Sequence, residues 1–114
     1  VSAPFHCSLM QPAADAMAEA LGNTPPGTLR VPLFANVTAA MVSDPEEVRR
    51  LLVEQVTGRV RWRESAAAMA EAGVEHFVEL GGKVVAPMIK RSAGDVETVS
   101  VVTMEDIEAL AKAL

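Results

Sequence analysis

The chain is poor in the residues that build cross-links, aromatic cores and basic surfaces. It has one cysteine, no tyrosine, one tryptophan and three phenylalanines. A single cysteine excludes an internal disulfide and suits a reducing compartment, so the expected location is cytoplasmic. With so few aromatics, the core has to be assembled from Ala, Val, Leu and Met, a profile that suits helices packed on a small sheet. No apolar run approaches the roughly 18 residues of a membrane span. The first residues lack the charged start and apolar stretch of a secretory signal, so no membrane partner is expected. A net charge of −5 argues against bulk nucleic-acid binding, which requires a basic footprint. The 114 residues suffice for one domain with one modest core.

What is present is a regular alternation of helical and extended patterns, without internal repeats. Met10, Ala13, Ala14, Met17 and Leu21 recur at helical spacing from about Ser8 to Leu21. Pro12 is tolerated there only near the first turn, and Gly22 with NTPPG ends the helix. RVPLFANV reads as a strand ending near Val37. Ser43-Asp44-Pro45-Glu46-Glu47 is a helix start, with Asp44 as cap, Pro45 in the first turn and Glu47 placed to close a capping box. Val48, Leu51, Leu52 and Val56 then form one apolar face, and a second helix runs from about Trp62 to Ala72 before Gly73. EHFVEL is a strand, Gly81-Gly82 a turn, KVVAPMIKR a short helix, ETVSVV a third strand, and Thr103 with Asp106 opens a last helix. The order α-β-α-α-β-α-β-α predicts an α/β fold, with helices packed on a small parallel sheet of three strands. The opening reads as the end of a strand, so the chain is expected to be a piece of something larger.

Several residues stand where chemistry is possible. His6 follows a strand end and precedes a helix, and ligands of open α/β sheets gather at the carboxyl ends of strands. Two roles suit that place: a general base near neutral pH, or a capping, half-buried histidine. Cys7 beside it suits a small buried residue, a partner of a Cys-His pair, or a metal ligand with His6 and His76. Adjacent loop residues diverge and His76 lies inside a strand, so no metal site is expected. Gln55 points along the apolar face of its helix, which calls for either a solvated helix end or a polar site. Gly81-Gly82 suits a tight turn or an anion cradle at a helix start. Arg59, Arg61 and Arg63, interleaved with Val60 and Trp62, suit a solvated rim or an acidic partner, and Lys90 and Arg91 complement a helix C-terminus.

Taken together, VSAPFHCSLMQPAADAM, VPLFANV and LVEQVTGRVRWRESAAAMAEAGVEHFVELGGKVVAPMIKR resemble the end of a malonyl-CoA:acyl carrier protein transacylase, in order and spacing along essentially the whole chain. The resemblance implies that residues 1–114 are the C-terminal portion of the large, hydrolase-like parallel-sheet subdomain of an acyltransferase. The nucleophilic serine, on a G-x-S-x-G elbow, and a small ferredoxin-like subdomain would lie upstream. None of Ser2, Ser8, Ser43, Ser65, Ser92 and Ser100 sits in such an elbow, so this chain alone is expected to be inactive.

In the family, malonyl moves from coenzyme A to the serine and then to the pantetheine thiol of acyl carrier protein in fatty acid biosynthesis. The resemblance makes His6 the catalytic base and Gln55 its support through a backbone carbonyl. Phe5 falls in the slot that varies with the acyl group, where a ring resembles the malonyl-selective form. GGKVV departs from the family's glycine-any-glycine turn by one residue. No bound cofactor is implied; malonyl-CoA and phosphopantetheinylated acyl carrier protein are the implied substrates. The implied partners are the upstream part of the same enzyme and acyl carrier protein, the latter reached through some of Arg59, Arg61, Arg63, Lys90 and Arg91. The alternative reading is a non-catalytic α/β module that binds a carrier protein or another partner.

Overall fold

A computed structural model of the protein describes residues 3–114. It contains five α-helices and four short strands among the described residues. The chain clusters into two compact units, one running through Ser65 and the other from Ala66 to Leu114.

In the first unit a 3₁₀ turn at Ser8–Met10 leads into α1 (Gln11–Asn23). Pro12 lies in the first turn of α1, where its missing N–H leaves no hydrogen bond unmade. β1 (Leu33–Ala35) and β2 (Ala40–Val42) pair antiparallel, with Phe34 opposite Met41. α2 (Pro45–Thr57) follows, capped by Asp44, whose carboxylate accepts the Glu47 N–H at 3.2 Å. The Glu47 side chain does not turn back to complete a capping box. It is held instead by Arg50, which also bonds Glu54 at 2.7 Å. Both α1 and the 3₁₀ turn pack on α2, with Ala14, Ala35, Val48 and Leu51 buried.

The expected three-stranded parallel sheet is therefore corrected: the VPLFANV strand closes a hairpin on a strand that the sequence did not advertise. The turn at residues 36–39 contains no glycine, yet Ala39 stands at φ 53° and its N–H bonds the Ala35 carbonyl at 2.8 Å. Short hairpins are recognised by Asn-Gly or Asp-Gly pairs that tolerate such a φ, and this turn carries neither.

α3 (Trp62–Glu71) spans the division between the units. In the second unit β3 (His76–Leu80), α4 (Val85–Ala93) and β4 (Glu97–Val101) form a βαβ unit. Its two strands pair parallel from His76 with Glu97 to Leu80 with Val101. A parallel pair needs a crossover, and α4 supplies it, packing on both strands and burying Ile89. α5 (Met104–Ala113) packs on β4 and starts with a full capping box: Thr103 accepts the Asp106 N–H, and Asp106 accepts the Thr103 N–H. No helix among the described residues is long and apolar enough to cross a membrane.

Candidate functional site

Helix α2 ends at Gly58, where there is little room for a side chain. The chain there turns to extended backbone, and a Cβ at this position would lie 2.8 Å from Val37 Cγ2 and 3.0 Å from the Glu54 carbonyl. The last four carbonyls of a helix lack intrahelical partners. The Gly58 N–H takes the Glu54 carbonyl at 3.0 Å, which leaves that of Gln55 open. His6 fills it: its Nδ1 lies 2.9 Å from Gln55 O, across 49 residues of sequence.

A carbonyl oxygen only accepts, so Nδ1 carries the proton in this contact. In the neutral ring Nε2 is then the free lone pair. His6 is solvent-exposed and the Gln55 backbone belongs to a packed helix, so the rigid partner orients the open one. His6 also has φ 55°, the left-handed region, at a cost of roughly 1–2 kcal/mol for a residue with a Cβ. Strain of this kind clusters where a side chain must be aimed.

The neighbours are arranged around that loop. The Cys7 thiol donates to the Pro4 carbonyl at 3.1 Å, and the Met10 N–H bonds the Cys7 carbonyl at 3.0 Å. Phe5 is 53% exposed, so its ring is open to contact on the same loop. The Gln55 side chain is half-buried at the wall of a cavity of about 190 Å³, lined also by Leu33, Phe34, Val48, Leu51 and Leu52. Gln55 thus stands in the last turn of α2, and its contact with His6 is made through the backbone.

His76 has another employment. Its Nδ1 lies 2.8 Å from Glu97, its neighbour on the parallel strand, on the exposed surface of the second unit. Among the described residues no three His, Cys, Asp or Glu side chains gather as metal ligands would.

The anion cradle suggested by Gly81-Gly82 is filled from within. Glu79, at the end of β3, accepts the N–H groups of Val84, Val85 and Ala86 at 2.9 to 3.0 Å. These backbone bonds, chiefly that of Val85, hold its carboxyl below the usual carboxylate range. Gly81, at φ 89°, makes the turn, and Gly82 passes so close that a Cβ would sit 3.0 Å from Glu79 Oε1. Sequence reasoning missed Glu79; the available sign was a carboxylate near a strand end, two residues before a pair of glycines and shortly before a helix.

Of the arginines, Arg61 is engaged inside the first unit. It donates to the Thr38 carbonyl at 3.1 Å and to Glu64 at 2.8 Å, and its own N–H bonds the Asn36 carbonyl at 3.0 Å. The Glu64 contact pulls the Glu64 carboxyl below its ordinary value. Arg59 and Arg63 are exposed.

No family model matches the chain. Individual proteins do. The malonyl CoA-acyl carrier protein transacylase of Haemophilus influenzae is 39% identical over 102 residues, 89% of this chain and 33% of that protein. An acyl-carrier-protein S-malonyltransferase from Bartonella henselae superposes with a TM-score of 0.91 at 47% identity, covering 99% of this chain and 36% of its own.

The chain belongs to the malonyl-CoA:acyl carrier protein transacylase family.

It spans about a third of the length of the curated transacylases it matches, and corresponds to their C-terminal part. A further transacylase relative, 31% identical with a TM-score of 0.88, was solved in complex with its type II polyketide acyl-carrier protein. It is covered over 37% of its chain by all of this one. The α/β class and the parallel strand pair agree with these transacylase folds.

Proposed function

We propose that this chain supplies the histidine-bearing C-terminal part of a transacylase that moves malonyl from coenzyme A to the pantetheine thiol of an acyl carrier protein. The observation that carries the reading is the bond from His6 Nδ1 to the Gln55 carbonyl. It supports a tautomer with the proton on Nδ1 and Nε2 free to act as base, the arrangement that a carboxylate gives histidine in serine hydrolases.

In this reading Nε2 of His6 takes the proton of a nucleophilic serine supplied by the upstream part of the enzyme. The serine oxygen attacks the malonyl thioester carbonyl, the carbon–sulfur bond breaks, and the His6 proton goes to the departing coenzyme A thiolate. For the second half, Nε2 takes the proton of the carrier pantetheine thiol. The thiolate attacks the malonyl-serine ester, and the proton returns to the serine oxygen. His6 ends each half-reaction neutral, and the Gln55 carbonyl supports the imidazolium formed between them. Phe5, beside the base on the same loop, sets acyl-group selectivity by crowding a branch on the α-carbon of the acyl group.

The test is malonyl transfer to carrier protein by this chain joined to its upstream portion, with native His6 against His6→Ala. A loss of roughly 10²- to 10⁴-fold in kcat is expected. Transfer that survives the substitution refutes His6 as base and leaves the chain as scaffold or docking surface.

A further inference from the structure

Cys7 occupies the cap position of the 3₁₀ turn at Ser8–Met10, yet its side chain caps nothing in that turn. The thiol points backward instead and donates to the Pro4 carbonyl, spanning Phe5 and His6. Of the two residues inside this span, His6 is the one at φ 55°. A left-handed histidine relaxes toward extended backbone unless its surroundings hold it. On its C-terminal side, the Met10 N–H to Cys7 carbonyl bond anchors Cys7 to the start of the packed helical segment.

We propose that Cys7 is a positioning residue for His6. Its thiol-to-carbonyl bond closes the Pro4–Cys7 loop and keeps the imidazole on the Gln55 carbonyl. The inference rests on the reading of His6 as base, and it assigns the cysteine neither a bond to substrate nor a redox step. Without the brace the loop opens, Nδ1 loses its fixed acceptor, and the ring samples both tautomers. Only the one with Nε2 unprotonated serves the serine. Substrate binding is not touched, so the loss falls on kcat rather than on KM.

The experiment compares native protein, Cys7→Ala and Cys7→Ser in this chain joined to its upstream portion. The readouts are kcat and KM for malonyl transfer and the ¹⁵N shifts of the His6 imidazole, with Nδ1 and Nε2 resolved. Serine keeps a donor of similar reach; alanine removes it. Cys7→Ala is expected to lower kcat by about 3- to 10-fold, the scale of one lost hydrogen bond, at unchanged KM. Its ring spectrum moves toward mixed tautomers, and Cys7→Ser restores both. A Cys7→Ala protein with native tautomer and native kcat overturns the proposal. So does one that melts earlier but keeps the native ring spectrum, because the thiol is then only structural. The ring spectrum reads the brace even in an inactive protein. Failure of the base assignment is read separately, from activity that survives His6→Ala.

Discussion

The Gln55 backbone carbonyl meets the His6 ring at 2.9 Å because α2 stops one turn later, at Gly58. The contact is through the main chain, so the Gln55 side chain is dispensable to it. Gln55→Ala is expected to change kcat for malonyl transfer by no more than about twofold, in line with substitutions that leave hydrogen-bonded groups intact. A fall comparable to that of His6→Ala would move the function from the carbonyl to the amide.

Phe5 shares the exposed loop of His6. Removing the ring in Phe5→Ala opens space for a branch on the acyl group. The preference for malonyl over methylmalonyl should fall by about tenfold in kcat/KM, since discrimination by a single methyl reaches that scale. Competition between the two coenzyme A thioesters measures it; an unchanged ratio would place selectivity elsewhere.

Arg61 and Arg63 look equivalent in the alternating sequence and are not equivalent in the fold. Arg61 ties the turn at Asn36 and Thr38 to the start of α3, whereas Arg63 is exposed. Arg61→Ala is expected to lower the melting temperature while leaving the carrier-protein KM of the folded enzyme unchanged. Arg63→Glu should do the reverse, raising the KM for an acidic carrier protein by a few-fold at low salt and less at high salt. Thermal melts and carrier-protein titrations at two ionic strengths separate the two outcomes.

Glu79 makes the stability of the second unit depend on pH in a defined direction. Its carboxyl is held below the ordinary value of 4.5 by the N–H groups at the start of α4. The stability it contributes is therefore fully present above pH 4.5 and is lost as pH falls through the lower folded value. Glu79→Gln should destabilise the protein at pH 7, and the gap to the native protein should narrow below pH 4.5. Denaturant titrations across that range measure it; a gap independent of pH would mean that the carboxylate charge is not what holds the helix.

Helix starts were legible in the sequence because capping is local. Asp44-Pro45 and Thr103 with Asp106 act within one turn, and both caps form. The apolar face of α2 was legible for the same reason, since period and composition suffice to bury Val48 and Leu51. β2 was not, because Ala39 adopts a glycine-like φ that no residue type announces. The role of Glu79 was hidden too. A strand carboxylate reaches the amides of α4 only once β3 and α4 have been brought together.

For the candidate site the division is sharper. The order and spacing of the PFHCSLM, VPLFANV and LVEQV blocks carried the family resemblance and singled out His6 and Gln55. Local pattern alone left His6 open between a base and a cap. The resemblance already pointed to the Gln55 main chain; tertiary structure decided which ring nitrogen meets it, Nδ1 rather than Nε2. The reason is that a carbonyl becomes available only where a helix ends against its neighbours, and a ring nitrogen is chosen only by the acceptor packed beside it.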